Sequence, residues 1–83
     1  MITRKFRLII ERNNSKFSDN CTILIDIHTS FIKEAQYIAL GLDIPKWMKD
    51  MIGVEYQYVK DKVEDMGKKL WNGSDGMEIN IKL

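Results

Sequence analysis

The sequence predicts a small α+β domain: a three-stranded sheet in ββααβ order, opened by an antiparallel hairpin and covered on one face by one or two helices. Near both ends of the chain apolar residues alternate with polar ones, the period of a half-buried strand. In the middle they recur every three or four residues, the period of a helix with one buried side. The 83 residues are 45% apolar and 30% charged, enough for a single domain, 1–83, with one core.

The first strand runs from Ile2 to Arg12, with Ile2, Phe6, Leu8 and Ile10 on one face and Thr3, Lys5, Arg7 and Glu11 on the other. The stretch Asn13-Asn14-Ser15-Lys16-Phe17-Ser18-Asp19-Asn20 has the chemistry of a loop, because its side chains hydrogen-bond their own backbone and tolerate turns. Cys21, Ile23, Ile25 and Ile27 then alternate with Thr22, Leu24, Asp26 and His28, a second half-buried strand. A hairpin closed by residues 13–20 makes opposed positions sum to about 33, an odd number, and the alternation fixes that parity. Ile10 is then expected opposite Ile23, Leu8 opposite Ile25 and Phe6 opposite Ile27, with Arg7 meeting Asp26 and Ile9 meeting Leu24 on the other face.

Thr29 or Ser30 is a helix N-cap, followed by Phe31, Ala35, Ile38, Ala39 and Leu42 at helical spacing, and Gly41 is the stop. Asp43-Ile44-Pro45 opens a second helix that extends to about Trp71. Met48, Ile52, Tyr56, Val59, Val63, Met66 and Leu70 form one apolar stripe on it; Trp47, Met51, Val54 and Tyr58 form another, about 100° round the cylinder. Gly53 and Gly67 each cost about 1 kcal/mol inside a helix relative to Ala, which leaves a break or kink near Gly53 open. Asn72 to Gly76 is a turn cluster, and Met77, Ile79, Ile81 and Leu83 alternate with Glu78, Asn80 and Lys82 in a third strand. The expected core is Leu8, Ile10, Ile23, Ile25, Val59, Val63, Ile79 and Ile81.

The residues that carry chemistry are few. Cys21 and His28 are the only cysteine and histidine; seven residues apart on one strand, they lie about 23 Å apart on opposite faces, so they form no nucleophile pair. Asp26 and His28 share a face but supply two metal ligands where three or four are needed. Asp61, Glu64 and Asp65 stand among Lys60, Lys62, Lys68 and Lys69, the pattern of a solvated helix face braced by ion pairs. Gly73-Ser74-Asp75-Gly76 lacks the Gly-Lys-Ser/Thr ending of a phosphate loop. The expectation is a protein that is not an enzyme and uses no metal or cofactor. One cysteine and no run of about 18 apolar residues point to a reducing compartment, the cytoplasm, and away from the membrane.

Two surfaces remain as candidates for binding. Trp47, Met51, Val54 and Tyr58 either pack on the first helix through Phe31, Ala35 and Ile38, or form a partner or dimer surface, for which their composition is suited. Lys5, Arg7, Arg12, Lys16 and Phe17 make the N-terminal hairpin locally basic and give a nucleic-acid reading, although thirteen Lys/Arg against twelve Asp/Glu leave a net charge of only +1. The charges alternatively protect a strand edge. A sheet with one uncovered face and a helix with two stripes favour a homodimer.

The order ββααβ resembles the core of KH-type RNA-binding domains, whose Gly-x-x-Gly loop grips the nucleic-acid backbone; the junction here is Gly41-Leu42-Asp43-Ile44. Ala39 to Trp47 is similar to the turn of a helix-turn-helix, with Tyr37 four positions before Gly41. In size and motif-poor character the chain resembles accessory proteins of phages and mobile elements that inhibit host defence nucleases or toxins. These readings converge on a protein that works by occupying a macromolecular partner, with a small RNA- or DNA-binding protein as the alternative.

Overall fold

The computed structural model describes the backbone of residues 2–29, 35–66 and 75–83, and the side chains of these except at residues 2, 26–29 and 35–40. The architecture is α+β, a broken helix on one face of a mixed sheet. Among the described residues the sheet has four strands where three were expected: β1 (Ile2–Arg12), β2 (Ser15–Thr29), β3 (Ala35–Asp43) and β4 (Met77–Lys82), in spatial order β3-β2-β1-β4. β1 and β2 are antiparallel, as are β2 and β3, whereas β4 runs parallel to β1.

The hairpin turns on two residues rather than eight. Asn13 and Asn14 have φ of 48° and 65°, the left-handed conformations that a tight hairpin turn of the right twist demands and that Asn accepts more readily than most residues. Ser15 to Asn20 therefore belong to β2 and not to a loop. The register moves with the turn: Phe6 lies opposite Cys21, Leu8 opposite Asp19 and Ile10 opposite Phe17, while Arg7 meets Asn20 and Ile9 meets Ser18. The expected pairings of Ile10 with Ile23, Leu8 with Ile25 and Arg7 with Asp26 are thus displaced by six residues. The parity survives, because an even displacement keeps every apolar side chain on its own face.

The helix expected from Thr29 to Leu42 is replaced by strand. Thr29 ends β2, residues 30–34 lie outside the described set, and Ala35–Asp43 pairs with β2. Here Leu24 pairs with Gly41 and Ile25 with Ala39, so Leu40 is an extra residue on β3, a bulge that breaks the alternation a strand normally advertises. Non-local pairing with β2 outweighs a local apolar spacing of helical type. This correction removes the ββααβ order behind the KH likeness and the helix that a helix-turn-helix needs before Gly41.

The second helix starts where expected, with Pro45 just before α1 (Lys46–Ile52), and it breaks at Gly53. Gly53 has φ 65° and ψ −130°, a conformation that only glycine adopts without strain. A 3₁₀ turn over Gly53–Glu55 leads into α2 (Tyr56–Asp65). The broken helix covers the sheet face formed by Phe6, Leu8, Ile10, Cys21, Ile23, Ile25, Ile79 and Ile81, and completes the core with Met48, Ile52, Val59 and Val63. All eight residues of the expected core are buried. Tyr56 and Met66 pack at its margin; Leu70, Trp71 and the first part of the turn cluster lie outside the described residues.

Candidate functional site

The second stripe of the helix is a surface. Trp47, Met51, Val54 and Tyr58 are 44%, 51%, 97% and 49% exposed, and the segment expected to supply a covering helix is strand β3, at the opposite edge of the sheet from β4. The break at Gly53 contributes to this: it turns the chain so that Val54, in the 3₁₀ segment, stands almost wholly in water.

Trp47 is exposed but anchored. Its indole N–H donates to Asp19 Oδ2 at 2.7 Å, and its ring meets Phe17 edge-on with centroids 6.2 Å apart. Both contacts come from the segment of β2 extended by the tight turn, so the hairpin register positions the tryptophan. Two cations sit over the neighbouring tyrosines: Lys49 Nζ is 4.7 Å from the Tyr56 centroid and Lys62 Nζ 5.5 Å from that of Tyr58, distances at which a ring quadrupole attracts a cation.

The basic hairpin is divided between two faces. Lys5, Arg7 and Lys16 are exposed on the face without helices, interleaved with Glu11 and Glu78. Phe17 and Arg12 lie on the helix side. The Arg12 guanidinium donates to the carbonyls of Met51 (3.3 Å) and Ile52 (2.8 Å) and pairs with Glu55 at 3.1 Å. It therefore caps the C-terminal end of α1, where free carbonyls and the helix dipole favour a cation. The strip expected to present Lys5, Arg7, Arg12, Lys16 and Phe17 together does not form one surface.

No family model, curated protein or solved structure matches this chain. Among the described residues no group of three or more His, Cys, Asp or Glu side chains is placed to hold a metal ion, and no helix is long and apolar enough to cross a membrane. The side chains of Asp26 and His28 lie outside the described set. Cys21 is buried, and burial first, with Asp19 and Asp43 adding to it, pushes its thiol up from 9.0 to about 11 against the opposing effect of a Leu8 backbone hydrogen bond. A thiol so protonated is a poor nucleophile.

Proposed function

We propose that this protein is a non-enzymatic binding module that acts by occupying an apolar surface of another protein, with Trp47, Met51, Val54 and Tyr58 as its contact residues. The exposure of these four side chains, which are the large apolar residues exposed among the described ones, supports this reading most directly. Trp and Tyr concentrate binding energy because a large rigid area is desolvated at little cost in side-chain entropy. Trp47 is already held by Asp19 and Phe17, so little of its freedom is lost on docking. Occupancy of a host nuclease or toxin, in the manner of phage accessory inhibitors, is the class of action proposed.

The test is affinity capture from the native host, with and without nuclease treatment, using the parent and a Trp47→Ala variant. Capture of one protein that resists nuclease and is lost with Trp47→Ala, at a cost of about 2 kcal/mol or more, is the expected result. Capture abolished by nuclease favours the alternative, a nucleic-acid-binding protein, for which the exposed Lys5, Arg7 and Lys16 are the supporting observation.

A further inference from the structure

We infer that the protein forms a two-fold dimer by antiparallel pairing of β4 with β4 of a second copy, giving a continuous eight-stranded sheet centred on Asn80. This rests on the backbone and charges of the sheet edge and not on the Trp47 surface, of which only Tyr58 borders that edge.

The two ends of the sheet differ. β3, at one end, is interrupted by the bulge at Leu40, a device that discourages further pairing. β4, at the other end, is regular over Met77–Lys82, with no bulge and no proline. Its hydrogen-bonding phase is set by the Leu83 N–H, which donates to Glu11 O at 2.8 Å. Successive residues of a strand point their amide groups to opposite sides, so Ile79 and Ile81 also bond toward β1. The N–H and C=O groups of Glu78, Asn80 and Lys82 consequently face away from the sheet. Beside this edge, Tyr58, Lys62 and Asp65 of α2 and Met66 just after it line a depression of about 460 Å³ that reaches Asn80, Ile81 and Lys82.

The sequence of that edge is complementary to itself in one register. With Asn80 opposite its own copy, Glu78 falls opposite Lys82 of the second copy and Lys82 opposite Glu78. All three are pairs that exchange both backbone hydrogen bonds, the arrangement an antiparallel ladder needs from outward-facing amides. Ile79 then meets Ile81 on the covered face, which carries the buried layer across the junction. Sliding the pairing by two residues either way keeps the hydrogen-bonding phase but separates Glu78 from Lys82. Within one chain Arg7 neighbours Glu78 and Glu11 neighbours both Lys16 and Lys82. Across the junction the exposed row therefore reads Arg7, Glu78, then Lys82, Glu11, Lys16 of the second copy, alternating in sign throughout. Opposed unlike charges stabilise such pairs and opposed like charges oppose them.

The experiment is light scattering with size-exclusion chromatography on five proteins: the parent, Asn80→Pro, Glu78→Lys, Lys82→Glu and Trp47→Ala. The parent is expected at twice 9.8 kDa. Asn80→Pro removes an N–H that faces away from β1, a position where an edge strand tolerates proline; it is expected at the monomer mass with parental circular dichroism and melting temperature. Glu78→Lys and Lys82→Glu each place like charges opposite one another twice, and each alone is expected to raise the dissociation constant by about tenfold or more. Mixed together, the two variants restore both unlike pairs and are expected to form a heterodimer. That recovery does not depend on how well either variant folds by comparison with the parent. A monomeric parent at high micromolar concentration overturns the proposal, as does a dimer that survives Asn80→Pro or is lost instead with Trp47→Ala. A mixture that stays monomeric while the parent dimerises overturns the register.

Discussion

Ile25 and Leu24 are neighbours on β2 that face opposite ways, and they stand for the two faces of the sheet. Ile25 is wholly buried beneath the broken helix; Leu24 is half-buried on the face without helices, where Thr3 is its partner on β1. Alternate residues of the same strands thus build a dry, apolar layer on one side and a row of mixed charges on the other. Period two lets one segment of sequence carry two unrelated sets of instructions. The covered face holds nearly all of the stabilising burial, so side-chain changes there should be costly. Changes on the open face should alter what the protein touches while leaving the fold in place.

The sharpest check of that contrast is one substitution made on both faces. Scaled by length, the total stability is about 4–12 kcal/mol. Ile25→Asp, which buries an unpaired carboxylate and empties an apolar site, is expected to remove all of it, leaving a chain without a cooperative melting transition. Leu24→Asp, one residue away, is expected to cost about 1–2 kcal/mol and to melt cooperatively. Equal effects of the two would show that the open face is covered in solution.

Cys21 tests the dryness of the covered face by titration. The folded thiol, at about 11, lies above its ordinary 9.0, so the unfolded chain loses its proton first as pH rises. The contribution is fully present below pH 9 and is lost between pH 9 and about 11, amounting to about 2–3 kcal/mol. Urea titrations across that range should show the loss, and Cys21→Ala should remove the thiol's share of it. At pH 7–8 the thiol should react with a maleimide only when the chain unfolds.

Much of this contrast was legible in the sequence. The alternation of Phe6, Leu8 and Ile10, of Cys21, Ile23 and Ile25, and of Met77, Ile79 and Ile81 assigns each strand its buried side without knowledge of its partner. Gly53 was visible as a weak point in the helix for the same local reason. What failed was non-local. Ala35, Ile38, Ala39 and Leu42 satisfy a helical template, and only pairing with β2, through a bulge that spoils the alternation, makes the segment a strand. Ser15 to Asn20 look like loop because their polar side chains say nothing about the pairing that β1 imposes; the available signal was Asn13-Asn14 placed between two alternating runs. The candidate site was half legible: the Trp47 stripe was readable, its exposure was not, because that depended on what lay beside it. The capping role of Arg12 was invisible, since its partners are about forty residues distant in sequence.

Two smaller effects probe how the covered side holds its helices. Gly53→Ala places a side chain at φ 65°, ψ −130°; a β-carbon there meets nothing within 4 Å, so the cost is backbone strain alone, about 1–3 kcal/mol in denaturant titration. Arg12→Ala removes the cation at the end of α1 and is expected to cost about 1 kcal/mol, because part of this interaction is exposed to solvent.

The smallest expected effect on stability is also the one that separates the functional readings. Lys5, Arg7 and Lys16 are exposed on the open face, so replacing all three by Ala should change stability by less than about 1 kcal/mol, since exposed strand charges contribute little. If that face binds nucleic acid, each neutralised phosphate releases condensed counterions. Three such contacts give a log–log dependence of affinity on salt of about −2 on single strands, and the triple variant should lose binding altogether. The protein-binding reading expects no measurable affinity for short RNA or DNA at physiological salt in either protein, because Glu11 and Glu78 interleave with the cations and Arg12 is committed to α1. It expects the triple variant at most to slow association with the protein partner, since charges at an interface rim act mainly on encounter. Tight, salt-sensitive binding of an oligonucleotide that the triple variant loses and Trp47→Ala retains would move the functional surface from the helix side of the sheet to the open one.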